Sequence, residues 1–571
     1  MKASGFKIAA KATKTLYLVT ATGVAGLTLQ ATNLTLIPFS NDYPIVSAAS
    51  GFTEKVTSGY HGVVRSSRAV YTIALNIVDY KYSLHGLPWE SEEFRQTLSE
   101  AHLRSAKRML KLCEANKGFY VKAGQFVAAL RQVPKEYSST LSSLQDQAVP
   151  CEFKAIKRVL INNLGQDLSK VFLAFNEQPI AAASIAQVHH AVLKDHQEVA
   201  VKVQYPGLEN QMKFDVRTMA ILSNCVAWIF PEYRFKWIVS EFEKTISLEL
   251  DFVQEGKNSE RTAKNFKNNR MVKVPRVFWD LTTSQVLTMQ FCNGHKVDDL
   301  EAMKESGINP TKVAKALVEV FAEMIFVHGF VHGDPHPGNI LVSPDGPNGF
   351  TLVLLDHGIY KELDEEFRLD YCQLWMSLIL LDSNKIQELG ERFGVGKYSR
   401  YFPVIFTGRT IDSKSALGRG MSKEERKKLK QELESLSMGD FSSLMETLSP
   451  NFLTILRADG LVKSTITKLG ASQRLRLLVY AKYAAYGLST ELNSEAGYTV
   501  KYVFSRFKKM TSYIQLRLIL EVLELHLWME KLGHLLVNKL KNIWLNLGHF
   551  LVGVLRMGDL RQQTLLVQVK T

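Results

Sequence analysis

The segment FVHGDPHPGNILV, residues 330–342, limits the possible folds of this chain more than any other part of it. It places one carboxylate, Asp334, five positions before an amide, Asn339, and an apolar run follows the amide directly. Carboxylate and amide oxygens are ligands that Mg²⁺ accepts. A polar loop that carries both at this spacing predicts a site that can hold a metal ion and phosphate.

A lysine in a predicted strand supplies the kind of cation that nucleotide phosphates need. The run EVAVKVQ alternates in the manner of a strand, which puts its valines on the face opposite to Lys202. A half-buried lysine needs a carboxylate to orient it, and LELDFVQEGKN offers three. If this stretch is helical, Asp251 and Glu255 share a face and Glu249 points elsewhere. Which of these carboxylates pairs with Lys202 stays open.

A second aspartate completes an ordered set of motifs. Asp356 ends the apolar run FTLVLLDHG and is followed two positions later by Gly358, and it lies 22 residues after Asp334. A strand lysine, a carboxylate, an aspartate–asparagine loop and an aspartate–glycine pair occur in this order in protein kinases. Each motif alone is weak, but their order and predicted secondary structure together favour a nucleotide site.

Hydrophobic periodicity predicts a strand-rich small lobe followed by a helix-rich large lobe. Apolar residues recur at helical spacing from Ser91 to Gln132, where Pro134 ends the pattern, and again over residues 154–172. The runs QVHHAVL, EVAVKVQ, KVPRVFWDL and QVLTMQFC are typical of strands. After Val297 we expect helices to the end of the chain, with FTLVLLDHG as the exception. The predicted fold class is α+β, bilobal and protein-kinase-like.

Composition indicates a globular chain with an anionic partner. The 571 residues suffice for two or more domains, and 46% of them are hydrophobic. The formal net charge of +14 favours phospholipid, nucleotide or nucleic acid as a partner, but no recognition motif supports nucleic acid. The five cysteines are far apart and form no C-x-x-C pair, which argues against a disulfide framework and a zinc site.

The N-terminal segment predicts a mitochondrial address. It has four lysines among its first 14 residues and no acidic residue before Asp42, although arginine is lacking. The uncharged stretch from Thr15 to Asn41 is long enough for a membrane helix, but its threonines also suit an interfacial or buried helix. A secretory signal is the alternative, which the unpaired cysteines do not favour.

The C-terminal segment predicts a basic amphipathic helical tail. Residues 497–571 contain 11 Lys and Arg against 4 Asp and Glu, a net charge of +7. Charged residues interrupt its apolar stretches, so it contains no clean membrane-spanning helix. We expect it either to pack on the large lobe or to lie on an anionic membrane.

Three further motifs make a family resemblance specific. YVKAGQF (120–126), AAASIAQVH (181–189) and LELDF (248–252), together with VHGDPHPGNIL, resemble signatures of the UbiB family, the aarF-domain-containing atypical kinases. The resemblance covers residues 90–490. It also explains why H-G-D (332–334) stands where ordinary kinases have H-R-D. The DHG motif and Ala186 favour a mitochondrial branch distinct from that of coenzyme Q biosynthesis.

The resemblance implies an unusual helix over the nucleotide site. Lys122 and Gln125 would belong to its K-x-G-Q motif, and Glu249 with Asp251 would receive Lys122. Such a helix would occupy the groove in which a peptide substrate binds, so a large protein acceptor would be excluded. Gly124 weakens a helix by about 1 kcal/mol and therefore needs a structural reason.

The resemblance also implies roles for the remaining site residues. Glu255 would pair with Lys202, Asp334 would be the catalytic aspartate, and an alanine-rich loop would replace the glycine-rich loop over the phosphates. The implied loop residues are Ala181, Ala182, Ala183 and Ser184, the implied adenine-hinge residues are Met289 and Cys292, and the implied Mg²⁺ ligands are Asn339 and Asp356.

These expectations divide the chain into five segments and give it a function. The expected protein is a mitochondrial, inner-membrane-associated atypical kinase or ATPase that binds ATP with Mg²⁺ and supports lipid or membrane homeostasis. Its partners would be ATP, membrane lipids and a small-molecule or lipid acceptor, with no nucleic acid. A protein kinase acting in trans and a pseudokinase scaffold remain alternatives. The segments are residues 1–50 for targeting, 51–150 for the helical extension, 151–293 for the small lobe, 294–490 for the large lobe and 491–571 for the tail.

Overall fold

The structure, a computed structural model, divides into two compact units, Met1–Tyr480 and Ala481–Thr571. The predicted targeting segment up to residue 44 and most of the predicted tail lie outside the described residues. No described helix is long and apolar enough to cross a membrane. The described residues are 45–490, except 89–90, 130–132, 146–149, 231–235, 347–348, 413–420 and 435–446, together with single positions between 514 and 544.

Helices form the N-terminal extension of the first unit. The helical pattern predicted from Ser91 onward is present as two helices, because the chain turns at Lys117 and Gly118, whose φ angles are 54° and 48°. Glycine adopts this left-handed conformation without a steric cost, so a second helix starts just beyond it. The helices are α1 (Ile45–Ser83), α2 (Glu92–Asn116), α3 (Phe119–Ala129) and α4 (Lys135–Leu141), followed by a 3-10 turn (Ser142–Gln145).

A five-stranded antiparallel sheet is the centre of the small lobe. Its strands follow the order β1-β3-β4-β6, with β2 also paired to β3. The predicted alternation in β4 is confirmed, since Val199 and Val201 pack in one core and Ala200 packs against the other. The elements are α5 (Phe153–Leu164), α6 (Leu168–Val171), β1 (Phe172–Phe175), β2 (Ala181–Ala182), β3 (Ala186–Leu193), β4 (Glu198–Gln204) and β6 (Val286–Gln290).

The connection between β4 and β6 is helical and differs from prediction in two ways. LELDFVQEGKN does not form one helix, because Asp251 is the N-cap of a new helix. KVPRVFWDL contributes only the end of a short strand and an isolated bridge at Val277, and Pro275 has no N–H to donate to a ladder. The elements are α7 (Leu208–Ile229), α8 (Lys236–Glu249), α9 (Phe252–Asn265), β5 (Val272–Lys273) and a 3-10 turn (Trp279–Leu281).

The large lobe begins with short strands that bring the predicted motifs together. The expectation of a single strand after Val297 is wrong, because three more strands of three or four residues were too short to show a period. β9 and β10 form an antiparallel hairpin between β7 and β5, and β8 pairs with β11. The elements are β7 (His295–Lys296), α10 (Leu300–Glu305), α11 (Pro310–Ala322), β8 (Phe330–His332), β9 (Ile340–Ser343), β10 (Thr351–Leu354) and β11 (Tyr360–Glu362).

An aromatic cluster fills the helical part of the large lobe. Phe326 stacks on Tyr371 with ring centroids 5.6 Å apart, and Trp375 and Phe452 pack around them. A π-helical segment, Glu323–His328, extends α11 into this cluster. The remaining helices are α12 (Glu365–Leu380), α13 (Ser383–Arg392), α14 (Lys423–Glu434), α15 (Pro450–Lys468) and α16 (Gln473–Thr490).

Candidate active site

Lys202 is the centre of a buried charge cluster. The sheet gives β4 a fixed register, with Lys202 opposite Val188 in β3 and Leu287 in β6. Its Nζ donates to Oε1 and Oε2 of Glu255 at 2.7 and 2.9 Å and to Oδ2 of Asp356 at 2.9 Å. Burial alone would lower the pKa of Lys202, but Asp356 and Glu255 raise it, so the lysine is a cation. Of the three carboxylates left open by the sequence, Glu255 is the one that contacts Lys202.

The loop after β8 holds Asp334 and Asn339 in one turn. The Asp334 N–H donates to Nδ1 of His332 at 3.0 Å, and Nδ2 of Asn339 donates to the Asp334 carbonyl at 3.1 Å. Burial lowers the pKa of His332, so its ring is neutral and Nδ1 accepts. Because the Asn339 nitrogen is bound to the loop, the oxygen of the same amide is the atom left to coordinate a cation.

Asp356 lies beside Asn339 because β9 and β10 form a hairpin. The Leu355 N–H donates to the Asn339 carbonyl at 2.9 Å, so Asp356 follows directly. Its Oδ1 accepts from the Gly358 N–H at 3.0 Å. Burial would raise the pKa of Asp356, but the charge of Lys202 holds it well below its usual range. The carboxylate is therefore an anion at neutral pH.

These oxygen atoms fit a magnesium ion that also binds nucleotide phosphates. Mg²⁺ in nucleotide sites is usually held by one or two carboxylates, and phosphates and water complete its coordination. Asn339 and Asp356 offer such a partial set. Within the described part of the chain, no group of three or more His, Cys, Asp or Glu side chains could hold a metal ion without help. Phosphate and water oxygens would complete the coordination of an ion held by Asn339 and Asp356.

Helix α9 contacts the backbone that follows Asp356. Oε1 of Glu255 accepts from the His357 N–H at 3.4 Å, and Nδ2 of Asn258 donates to the His357 carbonyl at 3.0 Å. Burial raises the pKa of Glu255 to about 7, and Lys202 opposes that rise. Sequence reasoning missed Asn258, whose signal is its position one helical turn after Glu255.

Helix α3 brings Lys122 into the same site. Nζ of Lys122 lies 2.9 Å from Oε1 of Glu249 and 3.8 Å from Oδ2 of Asp334. Gln125, from the same motif, donates to the Leu144 carbonyl at 2.9 Å and so ties α3 to the turn after α4. Gln125 therefore supports the helix, whereas Lys122 reaches the loop that carries Asp334.

Gly124 is explained by the packing of α3. A Cβ at this position would lie far inside contact distance of Leu144 Cδ1 and 3.1 Å from Cys113 Sγ. Contacts this short force the neighbours to move. The glycine thus lets α3 approach α2 and the 3-10 turn closely, which is the reason that its weak helix propensity required.

Asp251 does not contact the lysine that the resemblance assigned to it. Its Oδ1 accepts from the backbone N–H groups of Val253 and Gln254 at 3.0 and 3.4 Å, as an N-cap. Lys122 contacts Glu249 instead. The two acidic residues of the E-x-D motif therefore have different roles. Glu249 pairs with Lys122 in the site, and Asp251 caps helix α9.

Arg457 in α15 is a site residue that sequence reasoning missed. Its Nη2 lies 3.3 Å from Oδ1 of Asp334, and its guanidinium lies over the Phe126 ring, 5.2 Å from the centroid. Burial alone would raise the pKa of Asp334, but Arg457 and Lys122 lower it. No local motif marks Arg457, because it reaches the loop from a distant helix.

The alanine-rich loop is a tight hairpin at the edge of the small-lobe sheet. The Ala183 N–H donates to the Ala186 carbonyl at 2.7 Å, and the Ala183 carbonyl accepts from the Tyr205 hydroxyl at 3.0 Å. Ala181 and Ala182 form β2, and the Ser184 side chain is buried. The loop therefore belongs to the same sheet as Lys202, and the backbone N–H and carbonyl of Ala183 are already hydrogen-bonded within the protein.

The predicted hinge residues lie within and just beyond the last strand of that sheet. Met289 in β6 is paired with Ala200 and packs on the same core as that residue. Cys292 lies just beyond the strand, where burial raises the pKa of its thiol. Both residues are buried at the junction of the two lobes.

Comparison with known proteins decides the family. Residues 143–390 match the ABC1 atypical kinase-like domain. The AarF domain-containing protein kinase 1 of Xenopus laevis is 41% identical over 416 residues, which are 72% of this chain and 79% of that relative. The chain belongs to the ABC1/AarF family of atypical kinases. The resemblance inferred from the motifs and the α+β, kinase-like fold class are both confirmed.

Two other similar proteins come from Dictyostelium discoideum and Mycobacterium tuberculosis. The probable serine/threonine-protein kinase abkD of Dictyostelium discoideum is 36% identical over 468 residues, 81% of this chain and 66% of that protein. Among solved structures, the complex of Rv3197 with erythromycin from Mycobacterium tuberculosis is 21% identical. It covers 68% of this chain and 99% of its own, with a TM-score of 0.44. The matching family model is described as kinase-like, and some of the relatives are named as kinases.

Proposed function

We propose that this ABC1-family protein binds ATP with Mg²⁺ and turns it over as an atypical kinase or ATPase. The observation that carries the proposal is the contact of one buried lysine, Lys202, with both Glu255 and Asp356. Protein kinases use a strand lysine, its carboxylate partner and a metal-binding aspartate to hold nucleotide phosphates. Met289 and Cys292 would meet the adenine, and residues 181–184 would cover the phosphates.

The site residues would divide the work of phosphoryl transfer. Lys202 would bind phosphate oxygens while Glu255 keeps its ammonium group in place. Asp334, ionised at neutral pH, would orient the attacking water or acceptor hydroxyl. Mg²⁺, held by Asn339 and Asp356, would neutralise charge on the phosphates when it is bound.

The surroundings of Asp334 support a small acceptor and also a second candidate function. Lys122 and Arg457 both contact its carboxylate, and helix α3, which carries Lys122, would occupy the groove in which a peptide binds. A water molecule, a small molecule or a lipid headgroup would fit better than a protein. The same two cations also favour a pseudokinase scaffold, in which nucleotide binds but Asp334 never engages an acceptor.

The proposed location is the mitochondrial inner membrane, with a role in lipid or membrane homeostasis. The basic, acid-free N-terminal segment and the net charge of +7 over residues 497–571 support an anionic lipid surface as the partner. An excess of basic residues near a membrane is attracted to anionic headgroups. We expect no nucleic acid partner.

The test is ATP turnover by the full-length chain on vesicles with and without anionic lipid, in Mg²⁺ and in EDTA. Asp356→Asn keeps the side-chain shape but removes the metal-binding charge, and Asp280→Asn is an exposed control. Turnover that needs Mg²⁺, rises with anionic lipid and is lost only in Asp356→Asn supports the proposal. Nucleotide binding without turnover supports the scaffold, and phosphate on an added protein supports a kinase acting in trans. If the wild type binds no nucleotide, both functions are refuted.

A further inference from the structure

Helix α9 holds the backbone after Asp356 through two buried side chains one turn apart. Glu255 accepts from the His357 N–H at 3.4 Å, and Asn258 donates to the His357 carbonyl at 3.0 Å. Their relative exposures are 1% and 8%, so water does not replace either contact easily. Both peptide units that flank residue 357 are therefore bound to the same helix.

The orientation of the Asn258 amide follows from its neighbours. Its Oδ1 accepts from Nε2 of Gln254 at 3.0 Å, which leaves Nδ2 to face the His357 carbonyl. A buried carbonyl that loses its donor is destabilising, because no water replaces the hydrogen bond. The described contacts thus select one amide orientation and one orientation of the peptide.

The peptide unit held by Asn258 is the one that binds the carboxylate of Asp356. The His357 carbonyl and the Gly358 N–H belong to one planar peptide group. Asn258 holds its carbonyl end, and its N–H end donates to Oδ1 of Asp356 at 3.0 Å. A rotation of this peptide would remove the hydrogen bond that orients the carboxylate.

The side chain of His357 resists the same rotation. Its Nδ1 lies 3.0 Å from the Tyr360 hydroxyl and its Nε2 lies 3.1 Å from the Leu354 carbonyl. Burial lowers the pKa of His357, so the ring is neutral and one nitrogen donates while the other accepts. With Asn258 in place, every polar group of residue 357 has a partner among the described residues.

We propose that Asn258 is a positioning residue for the metal ligand Asp356, acting through the peptide between His357 and Gly358. This inference rests on the proposed function, since it assigns Asp356 to Mg²⁺. It makes one helix responsible for two tasks, because Glu255 orients Lys202 and Asn258 orients Asp356. The affinity for Mg²⁺ then depends on how α9 is seated.

The test compares Mg²⁺ affinity with metal-free nucleotide affinity in the full-length chain. A fluorescent, non-hydrolysable ATP analogue is titrated in EDTA and then at increasing Mg²⁺. Asn258→Asp keeps the shape but replaces the donor with an acceptor, and Asn258→Leu removes both polar atoms. Residues that orient metal ligands typically contribute about 10–100-fold in metal affinity, so we expect Mg²⁺ binding to weaken at least about tenfold. Affinity in EDTA should change less than about twofold.

Arg261→Gln is the matched control on the same helix. Arg261 donates to Glu362 at 2.6 and 3.0 Å, so it also joins α9 to the segment beyond Gly358 without contacting the His357 peptide. Its Mg²⁺ affinity should match that of the wild type. An equal loss in Arg261→Gln would mean that general docking of α9 matters and would overturn the role of Asn258.

Hydrogen exchange at the Gly358 amide gives a readout that needs no nucleotide. We expect faster exchange in both Asn258 variants than in the wild type and in Arg261→Gln. Unchanged exchange, an unchanged Mg²⁺ midpoint, or equal losses with and without Mg²⁺ would each overturn the inference. A wild type that binds nucleotide without responding to Mg²⁺ would overturn it while leaving nucleotide binding intact. A wild type that binds no nucleotide refutes the proposed function, and with it the assignment of Asp356 to Mg²⁺.

Discussion

The buried ion pair between Arg65 in α1 and Asp215 in α7 leads to a quantitative prediction. Nε and Nη2 of Arg65 donate to the two carboxylate oxygens of Asp215 at 3.1 and 2.5 Å. Nη1 donates to the Asn116 carbonyl at the end of α2, and the guanidinium lies over the Tyr120 ring, 5.4 Å from its centroid. One side chain thus joins three helices and contacts the start of α3, two residues before Lys122.

The expected cost of Arg65→Met follows from the burial of its partner. Asp215 has an exposed fraction of 0%, so the variant leaves a carboxylate without its counter-ion. Removing one partner of a buried pair costs about 3–5 kcal/mol, out of a total stability of about 5–15 kcal/mol. Burial raises the pKa of Asp215 more than Arg65 lowers it, so desolvation outweighs the attraction. We therefore expect the double variant Arg65→Met with Asp215→Leu to be more stable than Arg65→Met alone.

Equilibrium urea denaturation of the full-length chain, followed by far-UV circular dichroism, measures these differences. The control is Lys213→Met, which removes an exposed ion pair with Glu209 on the same helix. An exposed pair contributes about 0–1 kcal/mol, so this variant should be close to the wild type. Equal losses for Arg65→Met and Lys213→Met, or simple additivity in the double variant, would refute the reasoning.

Two further predictions concern helix α3 and the Lys202 cluster. Gly124→Ala should lower the free energy of unfolding by about 1–3 kcal/mol in the same urea assay, because its Cβ meets Leu144 and Cys113. The control is Gly533→Ala, another helical position, where a Cβ meets nothing within 4 Å. This variant should be neutral or stabilising. Because the pKa of Glu255 is about 7, nucleotide binding should weaken between pH about 8 and pH about 6. The contribution of Glu255 to folding stability should rise as the pH falls from about 8 to about 6, since the folded chain binds the proton more tightly than the unfolded chain. Glu255→Gln should flatten both titrations, and identical profiles for variant and wild type would contradict this prediction.

The small-lobe sheet could be predicted because its strands are long enough to show a period. β3 and β4 have eight and seven residues, and the alternation of apolar residues in β4 is enough to assign Lys202 to one face of the strand. The order of the motifs favours a shared nucleotide site for Lys202 and Asp356. The structure adds their direct contact at 2.9 Å, which the sequence did not predict.

Other parts of the site depend on long-range packing that no local pattern records. Arg457 reaches Asp334 from a helix far along the chain, and its identity as a site residue follows only from how α15 packs. Short strands such as β8 and β11 could not be predicted, because three residues are too few to show a period. They form because they pair with each other. The turn at Gly118 had no local signal either, because a glycine within a helical pattern is often tolerated.

The break between α8 and α9 explains why Glu249 and Glu255, six positions apart, contact different lysines. In an unbroken helix Glu249 and Glu255 would point roughly 120° apart, so they could not both be directed at one site. Asp251 ends that geometry by capping a new helix, and Glu249 then contacts Lys122 while Glu255 contacts Lys202. Because only Leu250 and the capping Asp251 separate the two helices, the extension that carries Lys122 and the sheet that carries Lys202 cannot be positioned independently. The E-x-D spacing therefore reflects a constraint on the backbone as well as on the charges, and a shift of the break would disturb both ion pairs at once.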